Sequence, residues 1–521
     1  MNTRSKKKLI FITLTVMFLL LLRIDFRFNA TVQCCSDEYD YFIHASTIVF
    51  DLDFDYSNQK LREFSYSFDG KSAPIGFVGT GILASPFLYL GSVLSKITNE
   101  STIKSLMNYQ LLIYSFSSIF YFFLSYLCLF KITRLLGIYI NKYKLLLYFS
   151  ASGLPYYAFE RFGMTHSFEV FTICLLIFIT IKFYQKDKFQ NLYAALVPII
   201  FLISFLTRMS NYFIFFIPFI IKSNLFKKKT PLFKNIYFLI SAAISLISFI
   251  RISNSIYGRT IFNPQIIYGD TRDAVSSIKN INQTFLDMVS TFINTLITLE
   301  FGIFWMNPIL FVGLVLTIKN LFRLNIFANL ITLLCFAQCF YIVYLWKTTA
   351  SSFGFRYLLP LVPLSFLIYF INGTKSKFLE IYLIYFSIFS LLGIIFFETT
   401  ILTQLSTTPE TNSFGKYIRY VEPEYVKGLT LSLFNIESYY IIFTTSFLGA
   451  SLFKLILLIF GIENTVDFLY SFNLPIQNED FQNYLIDITT IGLDKFIISV
   501  LFMASLSYFI VYKLINEREK T

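Results

Sequence analysis

Residues 9–22 read LIFITLTVMFLLLL, an uncharged apolar run that directly follows the basic residues Lys6, Lys7 and Lys8. Such a run is typical of a membrane helix, and the preceding lysines predict that the N-terminus lies in the cytoplasm. Because Arg23 follows the run and no small-residue cleavage site is visible, the segment is interpreted as a membrane anchor and not as a removable signal peptide.

The composition of the whole chain agrees with a membrane protein. Of its 521 residues, 56% are hydrophobic and only 14% are charged, with a mean hydropathy of +0.64. A soluble domain cannot bury that much apolar surface. The formal net charge of +12 comes from lysines and arginines in short segments between apolar runs, such as residues 222–234. This distribution predicts contacts with membrane lipids and excludes a nucleic-acid-binding face.

The apolar segments predict an all-α integral membrane protein, a polytopic bundle of about thirteen transmembrane helices, because backbone polar groups in lipid have to be paired within a helix. The predicted spans are residues 9–26, 106–130, 145–160, 165–184, 190–207, 211–221, 235–251, 302–318, 325–346, 357–372, 379–400, 437–460 and 494–513.

One further apolar segment, residues 74–94, is predicted to stay at the outer surface. Pro74, Pro86 and several glycines in it disfavour a spanning helix, so we expect juxtamembrane helices in this first outer loop. With this segment outside, the basic residues 131–144 and 222–234 fall on the cytoplasmic side, as the positive-inside rule requires. The outer side then receives residues 29–94, 160–165, 208–211, 252–301, 347–356 and 402–436.

An acidic run, Ser36-Asp37-Glu38-Tyr39-Asp40-Tyr41, comes soon after the first apolar segment. Two interpretations are open. Serine followed by two acids is an ordinary helix start, with Ser36 as cap and the acids at the favourable end of the helix dipole. In the other interpretation, Asp37 or Glu38 is a base that accepts a proton from a hydroxyl group at the membrane surface.

Metal sites find little support in the sequence. Asp51, Asp53 and Asp55 alternate as in the first half of a calcium loop, but Tyr56 replaces the glycine that such a loop needs. The six cysteines and two histidines offer no zinc pattern. No cofactor is therefore predicted, and a divalent cation held by Asp37 and a second acid is the metal site left open.

Several short motifs occur in the order in which a known superfamily carries them. Residues 1–375 resemble the GT-C superfamily, membrane glycosyltransferases that take a sugar from a polyprenyl-phosphate donor, and within it the protein mannosyltransferase and aminoarabinose transferase branch. The motifs that carry this resemblance are Asp37-Glu38, Asp51-Leu52-Asp53-Phe54, Lys71-Ser72-Ala73-Pro74-Ile75-Gly76, Arg161-Phe162-Gly163-Met164-Thr165-His166-Ser167-Phe168, Phe304-Trp305-Met306-Asn307-Pro308 and Ser352-Phe353-Gly354-Phe355-Arg356-Tyr357-Leu358-Leu359-Pro360.

The resemblance implies an inverting glycosyltransferase in a bacterial inner membrane. A sugar would pass from a polyprenyl-phosphate donor to a hydroxyl group of a glycan, lipid or protein acceptor at the outer face. Location after the first span, together with the resemblance, favours Asp37 as the catalytic base and leaves Glu38 as its near substitute.

The same resemblance implies a division of the chain into two membrane modules. Residues 1–251 would form the GT-C-type module, with the first outer loop at residues 29–94. Residues 252–521 would form a variable C-terminal module, with outer loops at residues 252–301 and 402–436.

Basic residues on the predicted outer side are candidates for holding the departing lipid phosphate, whose negative charge grows as the sugar leaves. By resemblance, Lys71 precedes a proline-rich helix start and Arg356 precedes a Leu-Pro pair, as the phosphate ligands of the superfamily do. Arg161 and His166 are further candidates for the donor phosphate, and Arg208 reaches the same side. For the cations, snorkelling to lipid headgroups is the alternative interpretation, and His166 could simply cap an interface.

Two other functions stay open. A polysaccharide polymerase of the O-antigen type is favoured if activity requires arginines of residues 252–301 and 347–356 but does not require Asp37. A lipid or sugar transporter without catalysis is the non-enzymatic alternative. Many transporters carry two related halves, and no such duplication is visible in this sequence.

Overall fold

The computed structural model of the chain describes residues 36–62, 65–99, 109–185, 188–268, 281–297, 302–321, 325–346, 355–405 and 446–461, together with isolated residues between 434 and 442 and between 464 and 509. The helices in this part of the chain are α1 (Ser36–Ser46), α2 (Val78–Ile97), α3 (Tyr109–Leu135), α4 (Lys142–Ser150), α5 (His166–Tyr184), α6 (Gln190–Thr207), α7 (Ile217–Leu225), α8 (Ile236–Tyr257), α9 (Gln265–Tyr268), α10 (Ile281–Ile297), α11 (Ile303–Met306), α12 (Pro308–Lys319), α13 (Ile326–Trp346), α14 (Val362–Asn372), α15 (Lys377–Leu405) and α16 (Phe447–Phe460). Short 3-10 or π-helical turns cover Thr47–Asp51, Tyr156–Glu160, Tyr212–Phe216, Leu232–Lys234 and Arg356–Leu361.

Seven of the described helices are long and apolar enough to cross a membrane, namely α2, α3, α5, α6, α8, α13 and α15. They indicate a multi-pass membrane protein, whereas the predicted number of about thirteen spans is not confirmed. Six predicted spans coincide with single helices: residues 106–130, 165–184, 190–207, 235–251, 325–346 and 379–400. The prediction at residues 9–26 lies outside the described residues, as does most of 402–436 and of 494–513, although α15 extends to Leu405.

Four predicted spans are interrupted in the structure, which corrects the sequence-based prediction of single helices there. In residues 145–160, α4 ends at Ser150 and a π-helical turn follows, and in residues 302–318 the helices α11 and α12 meet at Asn307. Residues 211–221 and 357–372 each begin with a 3-10 turn. A proline has no N–H to donate and clashes with the preceding turn, so it interrupts a helix. Prolines stand at or near all four junctions, as Pro155, Pro218, Pro308 and Pro360.

Residues 74–94 are the clearest correction, because most of them belong to the continuous helix α2. Pro86 lies inside α2 and cannot donate to Ile82 O, but the Ser85 hydroxyl donates to that carbonyl at 2.8 Å. The glycines serve close packing: a Cβ on Gly91 would lie 2.7 Å from the Gln110 Cα of α3. The segment is therefore regular and long enough to span, and its position at the outer surface stays a prediction.

The two ends of the bundle are defined by contacts among α3, α5 and α6. Helices α3 and α5 run in the same direction, since the rings of Tyr121 and Phe168 are 5.2 Å apart and Gln185 donates to Leu135 O at 2.7 Å. Helix α6 runs the opposite way, because Thr172 near the start of α5 donates to Ser204 near the end of α6. We call the end at which α5 begins the site end, and the other the basic end.

The basic end carries its name because cations of three helices gather there. They are Lys131 and Arg134 of α3, Lys142 and Lys144 of α4, and Lys182 of α5. Lys144 forms an ion pair with Glu380 in the first turn of α15, so the C-terminal half of the chain returns to this end.

Three helix ends meet closely at the site end. The Thr80 and Thr165 hydroxyls are 2.7 Å apart, and Thr165 donates to Thr207 O at 3.2 Å, which joins α2, the start of α5 and the end of α6. A Cβ on Gly79 would lie 2.3 Å from the Thr207 backbone nitrogen. Only a residue without a side chain allows this approach, so the joint depends on Gly79.

We expect Gly79→Ala to destabilise the protein by about 1–3 kcal/mol, the usual cost of overpacking a tight contact. The neighbour that must move is the backbone of α6, which cannot yield as a flexible side chain would. Thermal unfolding of the protein in lipid nanodiscs measures the effect. Val93→Ala, on the exposed face of the same helix, is the control and should cost no more than about 0.5 kcal/mol. Equal melting of both variants would contradict the close contact.

Helix α1 is fixed to the loop before α2 by a buried histidine. His44 Nε2 donates to Gly76 O at 2.8 Å, and because a carbonyl only accepts, Nδ1 is the acceptor for the Tyr56 hydroxyl at 2.5 Å. Burial lowers the pKa of His44 to about 4, although the bond to Gly76 opposes this shift. His44 is therefore neutral at physiological pH and holds α1 in one rotation about its axis.

A small antiparallel sheet, β1 (Tyr66–Phe68) and β2 (Lys71–Ala73), corrects the purely α-helical fold prediction. Its turn residues Asp69 and Gly70 both have positive φ, which fits the right-handed twist of a two-residue hairpin. The hairpin rests on the end of α8, where Tyr66 donates to Tyr257 O at 3.3 Å. It thereby attaches the connection between α1 and α2, residues 47–77, to α8.

Candidate functional site

The first element of the site is a buried ion pair between α1 and the turn before α5. Arg161 follows the π-helical turn Tyr156–Glu160, and its guanidinium donates to both carboxylate oxygens of Glu38, at 2.7 Å through Nε and 3.0 Å through Nη2. Glu38 has no exposed surface and Arg161 is 6% exposed. Such a two-point pair fixes the geometry of both groups. It locks α1 onto the site end of the bundle.

The second element is a polar cluster around Glu169, which is fully buried in the first turn of α5. His166 Nδ1 lies 3.2 Å and Arg208 Nη1 3.6 Å from Glu169 Oε2. Asn211 donates its side-chain amide to the other carboxylate oxygen. A buried carboxylate needs such partners, because its desolvation is costly when it stands alone. The cluster ties α5 to the break that follows α6.

The third element is Arg356, which begins the turn Arg356–Leu361. Its Nη2 lies 3.7 Å from Asp37 Oδ2 and donates to the Tyr357 hydroxyl at 3.1 Å. Its Nε is buried and has no hydrogen-bond partner among the described residues. The guanidinium carbon atoms of Arg208 and Arg356 lie 4.7 and 5.1 Å from the centre of the Tyr357 ring. Two cations thus share one aromatic ring beside Asp37.

The acids of α1 differ sharply in their surroundings. The Asp37 side chain is 41% exposed, whereas the adjacent Glu38 is fully buried against Arg161, because neighbouring helical residues point about 100° apart. Asp40, one turn later, pairs with Arg62. Burial raises the pKa of Asp40 to about 6, against the lowering effect of the hydrogen bond from Arg62. Of these acids, Asp37 offers the most accessible carboxylate.

Most of the sequence-predicted site residues therefore lie at the site end. Asp37, Glu38, Arg161 and His166 come from α1 and from the start of α5, and Arg356 joins them from a turn much later in the chain. Helix α1 begins at Ser36 with both acids in its first turn, as the helix-start interpretation predicted, while Ser36 as cap and Asp37 as base stay predictions. The two interpretations are compatible, because Asp37 lies in the first turn of α1 and also beside Arg356.

Lys71 is positioned differently from the other predicted phosphate ligands. It lies exposed in β2, and its ammonium group donates to Ser255 O at 2.8 Å, near the end of α8. No contact among the described residues joins Lys71 to Arg161, His166 or Arg356. Its assignment to the donor phosphate stays a prediction.

Two members of the site were not predicted from the sequence, Glu169 and Asn211. Arg208 was expected on this side, but without its partner. A usable signal existed for Glu169: an acid near the start of a long apolar helix is expensive in a membrane and marks a functional site by default. Asn211 carried no such signal, because an asparagine after a helix break is ordinary turn chemistry.

The possible divalent cation finds no further candidate ligands. Among the described residues there is no group of three or more His, Cys, Asp or Glu side chains that could hold a metal ion. Asp53 and Asp55 instead accept bonds from the backbone N–H groups of Asp55 and Ser57, at 3.0 and 3.1 Å, which is turn geometry. A cation at Asp37 is not tested by these contacts.

Comparison with known proteins identifies no family for this chain. No protein-family model matches the sequence, and no curated protein matches it. One similar solved structure is the archaeal oligosaccharyltransferase AglB from Archaeoglobus fulgidus in complex with an inhibitory peptide and a dolichol-phosphate, at 12% identity and a TM-score of 0.37, over 94% of this chain and 60% of that chain. Another is the oligosaccharyltransferase of the same organism in the apo form, at 12% identity and a TM-score of 0.36, over 84% of this chain and 55% of that one. The chain spans about three fifths of the length of these proteins, and likeness at this level assigns no function.

Proposed function

We propose that the protein is a multi-pass membrane glycosyltransferase that moves a sugar from a polyprenyl-phosphate donor to a hydroxyl acceptor, with inversion at the anomeric carbon. The observation that carries this proposal is the pairing of a half-exposed carboxylate, Asp37, with a mostly buried guanidinium, Arg356, whose Nε has no hydrogen-bond partner among the described residues. The two groups contact each other in the structure, so to serve the two ends of one displacement reaction they would have to separate around the sugar.

In the proposed reaction, Asp37 accepts the proton of the acceptor hydroxyl group while that oxygen bonds to the anomeric carbon. The bond between the anomeric carbon and the phosphate oxygen breaks, and its electron pair leaves with the lipid phosphate. The phosphate thus goes from one negative charge to two. Arg356 stabilises that added charge, and it does so strongly because its surroundings are mostly dry.

The other predicted residues receive supporting tasks in this proposal. Arg161 and His166 are each bonded to a buried acid, Glu38 and Glu169. We therefore assign them to holding α1 and the start of α5 in place, and we reserve direct phosphate contact for Arg356 and Lys71. Glu38, without exposed surface, would act as a positioning residue and not as the base.

The orientation that suits this chemistry puts the site end at the outer face of a bacterial inner membrane and the N-terminus in the cytoplasm. The lysines and arginines of the basic end support it, since cytoplasmic loops carry an excess of these residues. A donor lipid would then reach Arg356 from within the membrane, and the acceptor would arrive from outside.

Replacing either proposed phosphate ligand, as Lys71→Gln or Arg356→Gln, is expected to weaken binding of a polyprenyl-phosphate sugar by about 1.5–3 kcal/mol, the value of a charge-assisted hydrogen bond. Equilibrium binding to the protein in nanodiscs measures this loss. Arg134→Gln, an exposed cation of the basic end, is the matched control and should bind as the parent does. Parental affinity in both test variants would show that these cations only snorkel to headgroups.

The decisive test of the function is release of free polyprenyl phosphate from a polyprenyl-phosphate sugar by the reconstituted protein. Transfer predicts one lipid phosphate released for each sugar moved. A transporter would carry the lipid or the sugar across the vesicle membrane and leave the sugar–phosphate bond intact. Movement without release would overturn the proposal. A polymerase would also release lipid, but its activity would survive the loss of the Asp37 carboxylate.

A further inference from the structure

We propose that the lipid phosphate and Asp37 compete for Arg356, so that binding of the donor releases the catalytic acid. This inference rests on the proposed function and adds an order of events to it. Before the donor binds, Asp37 is occupied by an ion pair. After it binds, Arg356 is turned to the phosphate and no longer pairs with Asp37, which then takes the acceptor proton.

The contact between Asp37 and Arg356 is the kind that a ligand can replace. Its nitrogen–oxygen distance is 3.7 Å, whereas Arg161 holds Glu38 through two atoms at 2.7 and 3.0 Å. Asp37 is 41% exposed, so water can solvate the carboxylate when the arginine leaves it. An ion pair that is long and half-exposed contributes little stabilising free energy, so a ligand can replace it easily.

Arg356 has a reason to prefer a phosphate. Its Nε is buried and has no hydrogen-bond partner in the described part of the chain, and an unsatisfied buried donor is costly. A guanidinium edge made of Nε and one Nη binds two phosphate oxygens in parallel, which one carboxylate oxygen at 3.7 Å does not achieve. Taking up a phosphate would satisfy the Nε that Asp37 leaves without a bond.

The surroundings keep Arg356 in place while it changes partner. Its Nη2 also donates to the Tyr357 hydroxyl, and its guanidinium carbon lies 5.1 Å from the centre of that ring. Arg208 lies at the same ring, 4.7 Å from its centre, and is oriented by Glu169. A short change of direction at the tip of Arg356 would therefore exchange carboxylate for phosphate without moving the backbone.

This exchange would keep Asp37 from accepting a proton before the donor is bound. A base that is ion-paired in the empty enzyme is a weak base, because the adjacent positive charge favours its ionised form. Once the phosphate takes Arg356, Asp37 loses that stabilisation and becomes a better proton acceptor. Activation of the acceptor is then limited to molecules that hold a donor.

The test measures the affinity of the protein in nanodiscs for farnesyl phosphate, a short polyprenyl phosphate that carries no sugar. Asp37→Asn removes the competing charge, so it should tighten binding by up to about fivefold, the worth of a partly exposed ion pair. Arg356→Gln should weaken binding by about tenfold or more. In the Arg356→Gln background, Asp37→Asn should give no tightening. Asp53→Asn is the control, because Asp53 is an exposed acid in the connection between α1 and α2, and it should leave the affinity unchanged.

The outcomes separate this inference from the proposed function. If the parent binds farnesyl phosphate and Asp37→Asn binds it equally or more weakly, the exchange is wrong while the function stands. Tightening that persists without Arg356 also overturns the exchange. If farnesol or inorganic phosphate competes as well as farnesyl phosphate does, the site is not one for a lipid phosphate, and both proposals fail. Melting temperatures of the variants within the range of the parent confirm that each protein is folded.

Discussion

Asp37→Asn is expected to lower the rate of glycosyl transfer by about 10²–10⁴-fold, the usual contribution of a general base. Asparagine keeps the size and the hydrogen-bonding reach of aspartate but cannot accept a proton. The neighbouring Glu38 cannot substitute, because it is fully buried and both of its oxygens accept from Arg161. The measurement is single-turnover release of polyprenyl phosphate at saturating donor, so that tighter or weaker binding does not obscure the chemical step.

Two controls show whether the loss is chemical. Asp53→Asn removes an exposed carboxylate from the connection between α1 and α2 and should leave the rate unchanged. If Asp37 served only the dipole of α1, its loss would cost at most about 1 kcal/mol of stability and leave turnover intact. Turnover close to that of the parent in Asp37→Asn would therefore remove Asp37 from the reaction and favour the polymerase alternative.

The second large effect is expected on stability, from breaking the buried pair of Glu38 and Arg161. Glu38→Ala leaves the Arg161 guanidinium buried without its acid, and Arg161→Ala leaves the carboxylate. Either change should destabilise the protein by about 3–5 kcal/mol, because an unpaired charge stays in a dry place. Thermal unfolding in nanodiscs measures both variants.

A double variant makes this prediction specific. Replacing both residues by leucine removes both charges, so it should cost less than either single change to alanine, since no unpaired charge remains. Arg62→Ala is the comparison at a more exposed pair: the Arg62 side chain is 21% exposed, against 8% for Arg161. It should therefore destabilise less than Arg161→Ala. If the double variant lost as much stability as the two single variants together, direct pairing of Glu38 with Arg161 would be contradicted.

Hydropathy and charge were sufficient to predict most of the helical framework. Helices α3, α5, α6, α8, α13 and α15 are long apolar runs, and they were predicted with nearly their observed bounds. The failures have local causes. Pro308 begins a new helix where one continuous span was expected, and Gly79 was interpreted as a helix breaker although it allows close packing. A sequence does not reveal what lies opposite a glycine.

The hairpin at Asp69 and Gly70 was missed although its signal was present. An Asp-Gly pair is among the strongest short hairpin signals, and both residues adopt the positive φ that such a turn requires. The strands on either side have three residues each, too few for a visible alternation of apolar and polar positions. An apolar chain also favours helical interpretation of every short segment.

Part of the membership of this candidate site was predictable, but its pairing was not. The acids of α1 were recognised from their position after the first apolar run, yet nothing local distinguishes Asp37 from Glu38. Their different exposure follows from the rotation of α1, which His44 fixes through Gly76 O. The partner of Glu38 is 123 positions away, and that contact exists only in the folded protein.

The attachment of the hairpin to α8 has a consequence for the order in which the protein is made. Tyr66 contacts Tyr257 across 191 positions, so the connection between α1 and α2 stays unattached to α8 until the ribosome has produced the end of that helix. Closing so long a loop carries an entropy cost that grows with the logarithm of its length, and contacts this distant form slowly. Arg356 is synthesised later still. A nascent chain therefore carries the acid of α1 for most of its synthesis without the arginine that restrains it.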